Sequence, residues 1–318
     1  MRVLVTGCAG FIGSNFVDYL LAKNNDVIGI DNLSTGQPNF LDNAINNDRF
    51  IFVNKDLLDI KEYIHHFKNI ELVIHLAANA DVREGIKFPR RDLEQNTIVT
   101  SNVLECMRIN KLNKIIFSST GSIYGEAEQI PTLEDNFFPI QTSMYGASKL
   151  ACEGLIQAYC EAYEIKSWIY RFVSILGPRY THGHVFDFYK QLSSDPSKLN
   201  ILGDGKQKKS YLHVNDCIEG VFYGFKHSAE NVNIFNLGVN DYCEVNDSVR
   251  WICEELNLKP SLTYSGGNKG WIGDNPFIYL DTKKINNLGW SPIYSIKEGI
   301  QDTVRFMLNN EWIFKERT

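Results

Sequence analysis

Several features of membrane proteins and of secreted proteins are missing from this sequence. No stretch of its 318 residues reaches about 18 uninterrupted apolar residues, so we expect no membrane-spanning helix. The seven cysteines are odd in number and form no Cys-x-x-Cys pair, which argues against a disulfide framework and a zinc site. We therefore expect reduced thiols and a cytoplasmic protein. The first residues already read as a core strand, so we expect no signal peptide.

Basic residues are also fewer than acidic residues. Lysine and arginine number 32 against 38 acidic residues, which gives a formal net charge of −6. This balance argues against nucleic acid or a membrane surface as the main partner. It does not exclude an anionic small molecule, because a few local cations are enough to bind a pyrophosphate. Length and composition fit a globular protein with one large α/β domain or two smaller ones.

Short apolar runs alternate with helical patterns over the first 180 residues. Most runs are apolar throughout, as in parallel strands that helices cover on both faces. This order predicts right-handed crossovers and a doubly wound α/β (Rossmann) sheet, with ligands at the carboxyl ends of the strands. The predicted strands cover 3–6, 27–30, 50–53, 72–75, 114–117 and 167–170.

The pattern loosens after Pro178. Glycine and proline interrupt this half, which predicts a smaller mixed lobe, 179–318, interleaved with the sheet of residues 1–178. We expect helices near 184–194, 215–227, 245–257 and 295–310, and short strands near 199–202, 233–237 and 261–264.

A glycine-rich turn follows the first predicted strand. Gly7, Gly10 and Gly13 would form the tight turn, admit a pyrophosphate to the backbone and pack the next helix against the strand. Asp31 ends the second strand, where its carboxylate would bind adenosine ribose hydroxyls and repel a 2′-phosphate. Together they predict NAD rather than NADP. For the glycines alone, an ordinary strand–turn–helix connection is the alternative.

The Gly-x-x-Gly-x-x-Gly spacing resembles that of the extended short-chain dehydrogenases, and the similarity continues over nearly the whole chain. Residues 31–36 resemble the ribose loop of the nucleotide-sugar epimerases and dehydratases, and residues 75–78 resemble the loop over the pyrophosphate and nicotinamide ribose. Asp56 falls at the position of the adenine-contacting acid, and Asn96 at that of an asparagine that braces the second loop.

The resemblance implies that residues 1–178 bind NAD and carry the catalytic groups, while 179–318 bind the substrate. The implied NAD contacts are Gly7, Gly10, Phe11, Ile12, Gly13, Asp31, Asn32, Ser34, Thr35, Gly36, Asp56, Leu57, Leu76, Ala77, Ala78, Asn96, Ser118, Tyr145, Lys149 and Val173.

Tyr145 and Lys149 lie four residues apart on one predicted helix face. A tyrosine titrates near pH 10, but an adjacent ammonium and a positive nicotinamide ring stabilise the phenolate and lower its pKa. Thr120 ends a predicted strand at the family's spacing upstream. The resemblance therefore implies that Tyr145 is the base, that Thr120 hydrogen-bonds the developing ketone, and that Lys149 tunes the tyrosine and holds the nicotinamide ribose.

The residues after Thr120 bear on the type of reaction. In the 4,6-dehydratases of this fold an Asp-Glu pair follows the threonine and moves protons on neighbouring carbons. Gly121 and Ser122 occupy these positions here, and neither is a general acid, so we expect no dehydration.

The second half departs from the commonest epimerase pattern at several candidate substrate contacts. Ser174 stands where UDP-galactose-type epimerases usually carry asparagine, and Lys209 stands where arginine is usual. Residues 269–274 resemble a segment that closes on the pyrophosphate. The implied substrate residues are Asn79, Gly121, Ser122, Ser174, Arg179, His184, Lys209 and Lys269.

Two alternatives accompany these assignments. A solvated lysine face is the simpler interpretation of Lys206 and Lys208. His182 and His184 have no evident third ligand, so we predict no metal site; substrate contact or an ordinary loop remains for them.

The resemblance implies NAD-dependent oxidation at carbon 4 of a nucleotide-activated sugar. If the 4-keto sugar leaves, the enzyme is a 4-dehydrogenase; if it is reduced on its other face, the enzyme is a 4-epimerase. The departures resemble a subgroup of capsule and lipopolysaccharide biosynthesis that includes GDP-manno-heptose 4-dehydrogenases, which favours the first outcome. A silent NAD-sensing or scaffold protein is the alternative of another class, although Tyr145 and Lys149 are both present.

The helices expected near 92–109 and 145–163 resemble the pair that forms a four-helix bundle between subunits in this family. Apolar residues recur on them more often than one sheet-facing stripe requires. We therefore expect a homodimer or a higher even oligomer.

Overall fold

The computed structural model describes residues 1–82, 85, 87–136, 139–267 and 277–314. Within these ranges a sheet of seven parallel strands has the order β11-β6-β5-β4-β1-β2-β3. The strands of the chain are β1 (Arg2–Thr6), β2 (Asp26–Asp31), β3 (Phe50–Asn54), β4 (Leu72–His75), β5 (Lys114–Thr120), β6 (Lys166–Phe172), β7 (Ser174–Leu176), β8 (Lys198–Ile201), β9 (Lys208–Lys209), β10 (Tyr211–His213), β11 (Val232–Leu237), β12 (Cys243–Glu244), β13 (Ser261–Tyr264) and β14 (Phe277–Ile278). The predicted Rossmann-type α/β fold is confirmed.

Helices cover both faces of this sheet. The α-helices of the described residues, in this layer and in the second lobe, are α1 (Phe11–Ala22), α2 (Asp42–Ile45), α3 (Ile60–Tyr63), α4 (Pro89–Asp92), α5 (Val99–Ile109), α6 (Met144–Tyr163), α7 (His184–Ser194), α8 (Val214–His227), α9 (Val245–Leu256), α10 (Lys283–Asn287) and α11 (Ile296–Asn309). None of the helices in the described ranges is long and apolar enough to cross a bilayer.

The apolar character of the central strands explains why they are buried on both faces. Val3 and Val5 of β1 belong to one core cluster with Phe16 of α1, whereas Leu4 belongs to a second cluster with Val103 of α5. Successive side chains of a strand point to opposite faces, so a strand between two helical layers needs an apolar residue at every position.

One predicted helix differs in detail from the structure. The segment expected near 92–109 continues α4 as a π-helix, Leu93–Ile98, before α5 begins. Asn96 lies in this wider turn and is buried, so the irregular segment carries a polar side chain that the cofactor loop uses.

The main sheet takes its edge strand from the second half of the chain. β11, expected near 233–237, pairs in parallel with β6, with Val232 opposite Ser167. The sheet thus extends past position 178, and the parts 1–178 and 179–318 share it. The small sheets β10–β7, β13–β8 and β12–β9–β14 lie after β6 in the chain and build one side of the cavity described next.

Candidate active site

The carboxyl ends of β1, β4, β5 and β6 open into a cavity of about 420 Å³. Parallel strands end at the same edge of a sheet, which brings together residues far apart in sequence. Many of the predicted site residues line this cavity: Phe11, Ile12, Leu76, Ala78, Ser118, Thr120, Ser122, Tyr145, Lys149, Val173, Ser174, His184 and Lys209.

The glycine turn is as tight as the sequence predicts. Gly7 has a φ of +70°, and a Cβ there would lie 2.8 Å from the backbone nitrogen of Ala77. A Cβ on Gly13 would lie 2.0 Å from the carbonyl oxygen of Gly7. Gly10 caps α1 without a side-chain hydrogen bond, and the first turn of α1 has no acidic residue. This backbone cradle and the positive end of the helix dipole fit the pyrophosphate of a dinucleotide.

Asp31 joins this turn to the loop that follows β2. One carboxylate oxygen accepts from the backbone N–H of Ala9 at 2.9 Å, and the other accepts from that of Leu33 at 2.8 Å. A Cβ on Gly36 would lie 2.8 Å from the carboxylate, so a glycine lets the loop close on Asp31. Burial raises the pKa of the Asp31 carboxyl, while the two backbone hydrogen bonds oppose the shift.

The rest of the predicted ribose and adenine site lies beside Asp31. Asn32 donates to the carboxylate of Asp56 at 3.0 Å, which links the loop to the end of β3. Ser34 and Thr35 are exposed, whereas Leu57 is buried. This arrangement leaves polar groups around a carboxylate, as adenosine hydroxyls require.

Asn96 braces the loop after β4, as the resemblance implies. Its side-chain oxygen accepts from the backbone N–H of Asn79 at 2.8 Å, and its amide donates to Ser148 of α6 at 2.8 Å. The backbone N–H groups of Leu76 and Ala77 donate to the hydroxyl of Thr6 at 3.2 Å each. The loop therefore has fixed contacts to β1 and to α6.

Thr120, Tyr145 and Lys149 meet at the sheet end of the cavity. The hydroxyl of Thr120 donates to that of Ser122 at 3.2 Å and also favours the ionised form of Tyr145. The Lys149 ammonium lies over the ring of Phe117, 4.7 Å from its centroid. Tyr145 lies in the first turn of α6, which Ser143 caps: the Ser143 hydroxyl accepts from the backbone N–H of Gly146 at 3.0 Å.

The pKa of Tyr145 differs from the sequence-based expectation. Burial raises the pKa of Tyr145 to about 12; its hydrogen bond to Thr120 opposes the shift, and the charge of Asp92 adds to it. Burial also lowers the pKa of Lys149 to about 8. The chain by itself therefore does not lower the tyrosine pKa, because desolvation outweighs the local charges; the lowering requires a further positive charge at the site.

Four predicted substrate residues line the cavity, and His184 is the most constrained of them. Its Nδ1 lies 3.0 Å from the hydroxyl of Tyr211, and its buried Nε2 has no hydrogen-bond partner in the part of the chain that the structure describes. Burial lowers the pKa of His184 to about 3, and the charge of Lys209 acts in the same direction. His184 is therefore neutral at physiological pH. Ser122 and Ser174 complete this set of side chains.

Three other predicted substrate residues do not line the cavity. Arg179 pairs with Asp18 of α1 at 2.6 Å, in the loop after β7, and direct contact with the substrate stays a prediction. A Cβ built on Gly121 would lie 3.0 Å from Cγ2 of Ile278, so the Ile278 side chain covers this glycine. The side chain of Asn79 donates to Asp92 at 2.8 Å instead of facing the cavity. Lys269 lies outside the described residues.

Beyond His184, the contribution of α7 to the cavity was not predicted from the sequence. Asp187, Phe188 and Gln191 line the wall next to His184, and Asn200 and Gln207 continue it. The amphipathic pattern of the helix expected near 184–194 carried this signal, but the pattern alone does not say whether its polar face meets solvent or a ligand. Among the described residues, no group of three potential ligands is placed to hold a metal ion.

Comparison with known proteins agrees with this geometry. Residues 3–238 match the model of the NAD dependent epimerase/dehydratase family. The chain belongs to this family. It is 36% identical over 316 residues to a putative UDP-glucose 4-epimerase of Methanocaldococcus jannaschii, a match that covers 97% of this chain and 99% of that protein. It is 31% identical to a UDP-glucose 4-epimerase of Mycolicibacterium smegmatis, over 97% of this chain and 99% of that protein.

Solved structures give the same result. A crystal structure of a UDP-galactose 4-epimerase superposes with a TM-score of 0.88 at 31% identity and covers 98% of this chain and 100% of its own. A UDP-glucuronic acid 4-epimerase from Bacillus cereus, in complex with UDP-glucuronic acid and NAD, superposes with a TM-score of 0.87 at 28% identity and covers 97% and 99% of the two chains. The predicted enzyme class, an extended short-chain dehydrogenase type that uses NAD, is confirmed.

Proposed function

We propose that this family member oxidises carbon 4 of a UDP-sugar and reduces the resulting ketone on its other face, as a 4-epimerase. The observation that carries the proposal is the meeting of Thr120, Tyr145 and Lys149 at one end of a cavity whose wall includes Lys209 and His184. The relatives described above, which are named as 4-epimerases of UDP-sugars, support this substrate class.

The residues of the chain have distinct roles in this reaction. Bound NAD would supply the hydride chemistry at carbon 4. Gly7, Gly13 and Asp31 would hold it. Tyr145 as phenolate accepts the proton of the 4-hydroxyl and later gives it back, so that no net proton is consumed. Thr120 donates to the substrate oxygen, and Lys149 keeps a positive charge next to the tyrosine.

The substrate diphosphate suits the far wall of the cavity. Lys209 offers a cation, and the neutral His184 offers a ring nitrogen without a hydrogen-bond partner among the described residues. A buried polar atom without a partner is costly, so a ligand group that bonds to it gains affinity.

A second candidate is a 4-dehydrogenase that releases the 4-keto sugar, with GDP-manno-heptose as substrate in surface polysaccharide biosynthesis. Ser174, Lys209 and the loop of His182 and His184 favour it, because they line the cavity at positions where the sequence departs from the commoner epimerase pattern. The parallel sheet, the glycine turn before α1 and the base Tyr145 would be the same in an epimerase and in a dehydrogenase.

One experiment separates the candidates. Purified protein is incubated with NAD and, in separate samples, UDP-glucose, UDP-galactose, UDP-glucuronic acid, GDP-, dTDP- and CDP-sugars, and products are identified by NMR. A 4-epimer without accumulated NADH supports the epimerase; a 4-keto sugar with stoichiometric NADH absorbance supports the dehydrogenase. Binding of NAD without conversion of any sugar contradicts both and favours a silent NAD-binding protein.

We also propose that two chains associate through α5 and α6. Ala151, Gly154 and Ala158 are exposed on α6, and nothing in the described structure lies within 4 Å of a Cβ built on Gly154. Small exposed residues on a helix allow a second helix to approach closely, and Leu93 and Ile98, just before α5, add exposed apolar surface.

All seven cysteines are free thiols, which accords with the proposed cytoplasmic location.

A further inference from the structure

Three residues of α6, each one turn after the last, contact three consecutive residues of β5. Tyr145 interacts with Thr120 closely enough to affect its pKa, and Lys149 donates to the carbonyl of Ser118 at 2.8 Å. Glu153 accepts from the hydroxyl of Ser119 at 2.5 Å. The spacing of four residues places all three helical side chains on one face. Along β5, Ser119 therefore lies between the residue that contacts the proposed base and the residue that contacts its lysine.

The carboxylate of Glu153 is held in a single orientation. It is buried, and Arg171 of β6 donates two hydrogen bonds to it, from Nε at 3.0 Å and from Nη2 at 2.7 Å. Arg171 is the direct neighbour of Ser119 across the sheet. Planar two-point pairs of this kind fix direction as well as distance.

The arginine is fixed in turn by its third nitrogen. Nη1 of Arg171 donates to the hydroxyl of Tyr124 and to the carbonyl of Glu134, each at 2.6 Å. The Tyr124 hydroxyl donates to Asn236 of β11 at 2.8 Å. The network therefore runs without a break from the edge strand of the sheet to the hydroxyl of Ser119.

We propose that Glu153, oriented by Arg171, is a positioning residue for the proposed reaction. By holding Ser119 it keeps the Thr120 hydroxyl and the Ser118 carbonyl in register with Tyr145 and Lys149. Ser119 borders the cavity, but its hydroxyl is used by Glu153 and is not offered to the substrate. Displacements of about 1 Å in an active site are enough to lower turnover strongly.

This inference rests on the proposed function, and the alternative is an ion pair that only stabilises the fold. The first test is Ser119→Ala, which removes the contact and leaves the Glu153–Arg171 pair intact. Ser248→Ala, at a buried serine of α9 that does not line the cavity, is the matched control. Activity is measured with NAD and UDP-glucose, or with the best substrate of the screen above, and thermal unfolding is measured in parallel.

We expect Ser119→Ala to lower kcat about 10-fold or more while KM and Tm stay close to those of Ser248→Ala. A kcat within about twofold of the wild type overturns the proposal, and so does a loss that merely follows a drop in Tm.

The second test removes the carboxylate without leaving a buried charge unpaired. Glu153→Met/Arg171→Met replaces both charges by apolar groups. Glu153→Gln alone would leave the buried guanidinium of Arg171 without a negatively charged partner. The double variant should lose kcat like Ser119→Ala, and adding Ser119→Ala to it should cause no further loss. Additive losses of kcat overturn the proposal. A wild type that binds NAD but converts no sugar contradicts the proposed function and this inference together, a pattern distinct from either result above.

Discussion

The ammonium of Lys149 donates to the backbone carbonyl of Ser118 at 2.8 Å, in a position where burial lowers its pKa to about 8. A cation is thus kept at the end of β5 although water is nearly excluded there. The fold maintains this charge against a desolvation cost, which is typical of a functional group and unusual for a structural one.

Replacing Lys149 should therefore stabilise the protein while destroying its activity. Below about pH 8 the lysine is protonated in both folded and unfolded chains, so the folded state carries the full burial cost there. Between about pH 8 and the ordinary lysine value only the unfolded chain holds the proton, so the free energy of unfolding of the cofactor-free wild type rises with pH in that window.

Lys149→Met should raise the free energy of unfolding at pH 7 by up to about 3 kcal/mol and remove this rise with pH. Chemical denaturation at several pH values measures both effects. Lys226→Met, at an exposed helical lysine, serves as the control. A variant less stable than the wild type at pH 7 would show that the ammonium is a net stabilising group.

Tyr145→Phe removes the proposed base and leaves the ring in place. Turnover should fall about 100-fold or more, the loss expected for a positioned general base, while NAD and nucleotide-sugar binding persist. Tyr264→Phe, on the exposed strand β13, should behave as the wild type. If Tyr145→Phe keeps near-normal kcat, the base has been assigned to the wrong residue.

Asp31 should decide between NAD and NADP. The wild type should bind NAD(H) much more tightly than NADP(H), because a buried carboxylate repels a 2′-phosphate. Asp31→Ala should narrow the ratio of the two dissociation constants, and Asp26→Ala, exposed at the other end of β2, should not. Titration by fluorescence gives these constants; equal values for the wild type would contradict the prediction.

Gly154 offers a test of the proposed dimer. The 36.4 kDa chain should sediment at twice its mass, and Gly154→Arg should shift it to the monomer without unfolding, since the space beside this glycine is open in the protomer. Ala22→Arg, at an exposed residue at the end of α1, is the control. A wild type that sediments only as a monomer at micromolar concentration excludes the dimer.

The sequence by itself determined the elements and the local chemistry of this protein. Strands with an apolar residue at every position, the glycine turn before α1, and Tyr145 one helical turn before Lys149 all depend on contacts between residues close in the chain. Such patterns can be read without knowing what packs against them. For the same reason, the helix expected near 184–194 matches α7 in the structure.

Only the tertiary structure decided which distant groups meet. Arg171 at the end of β6 pairs with Glu153 of α6, and Arg179 pairs with Asp18 across 161 positions. The strand near 233–237 joins the main sheet, and burial raises the pKa of Tyr145. Each of these outcomes depends on packing and desolvation by residues remote in sequence, and no local pattern encodes such neighbours.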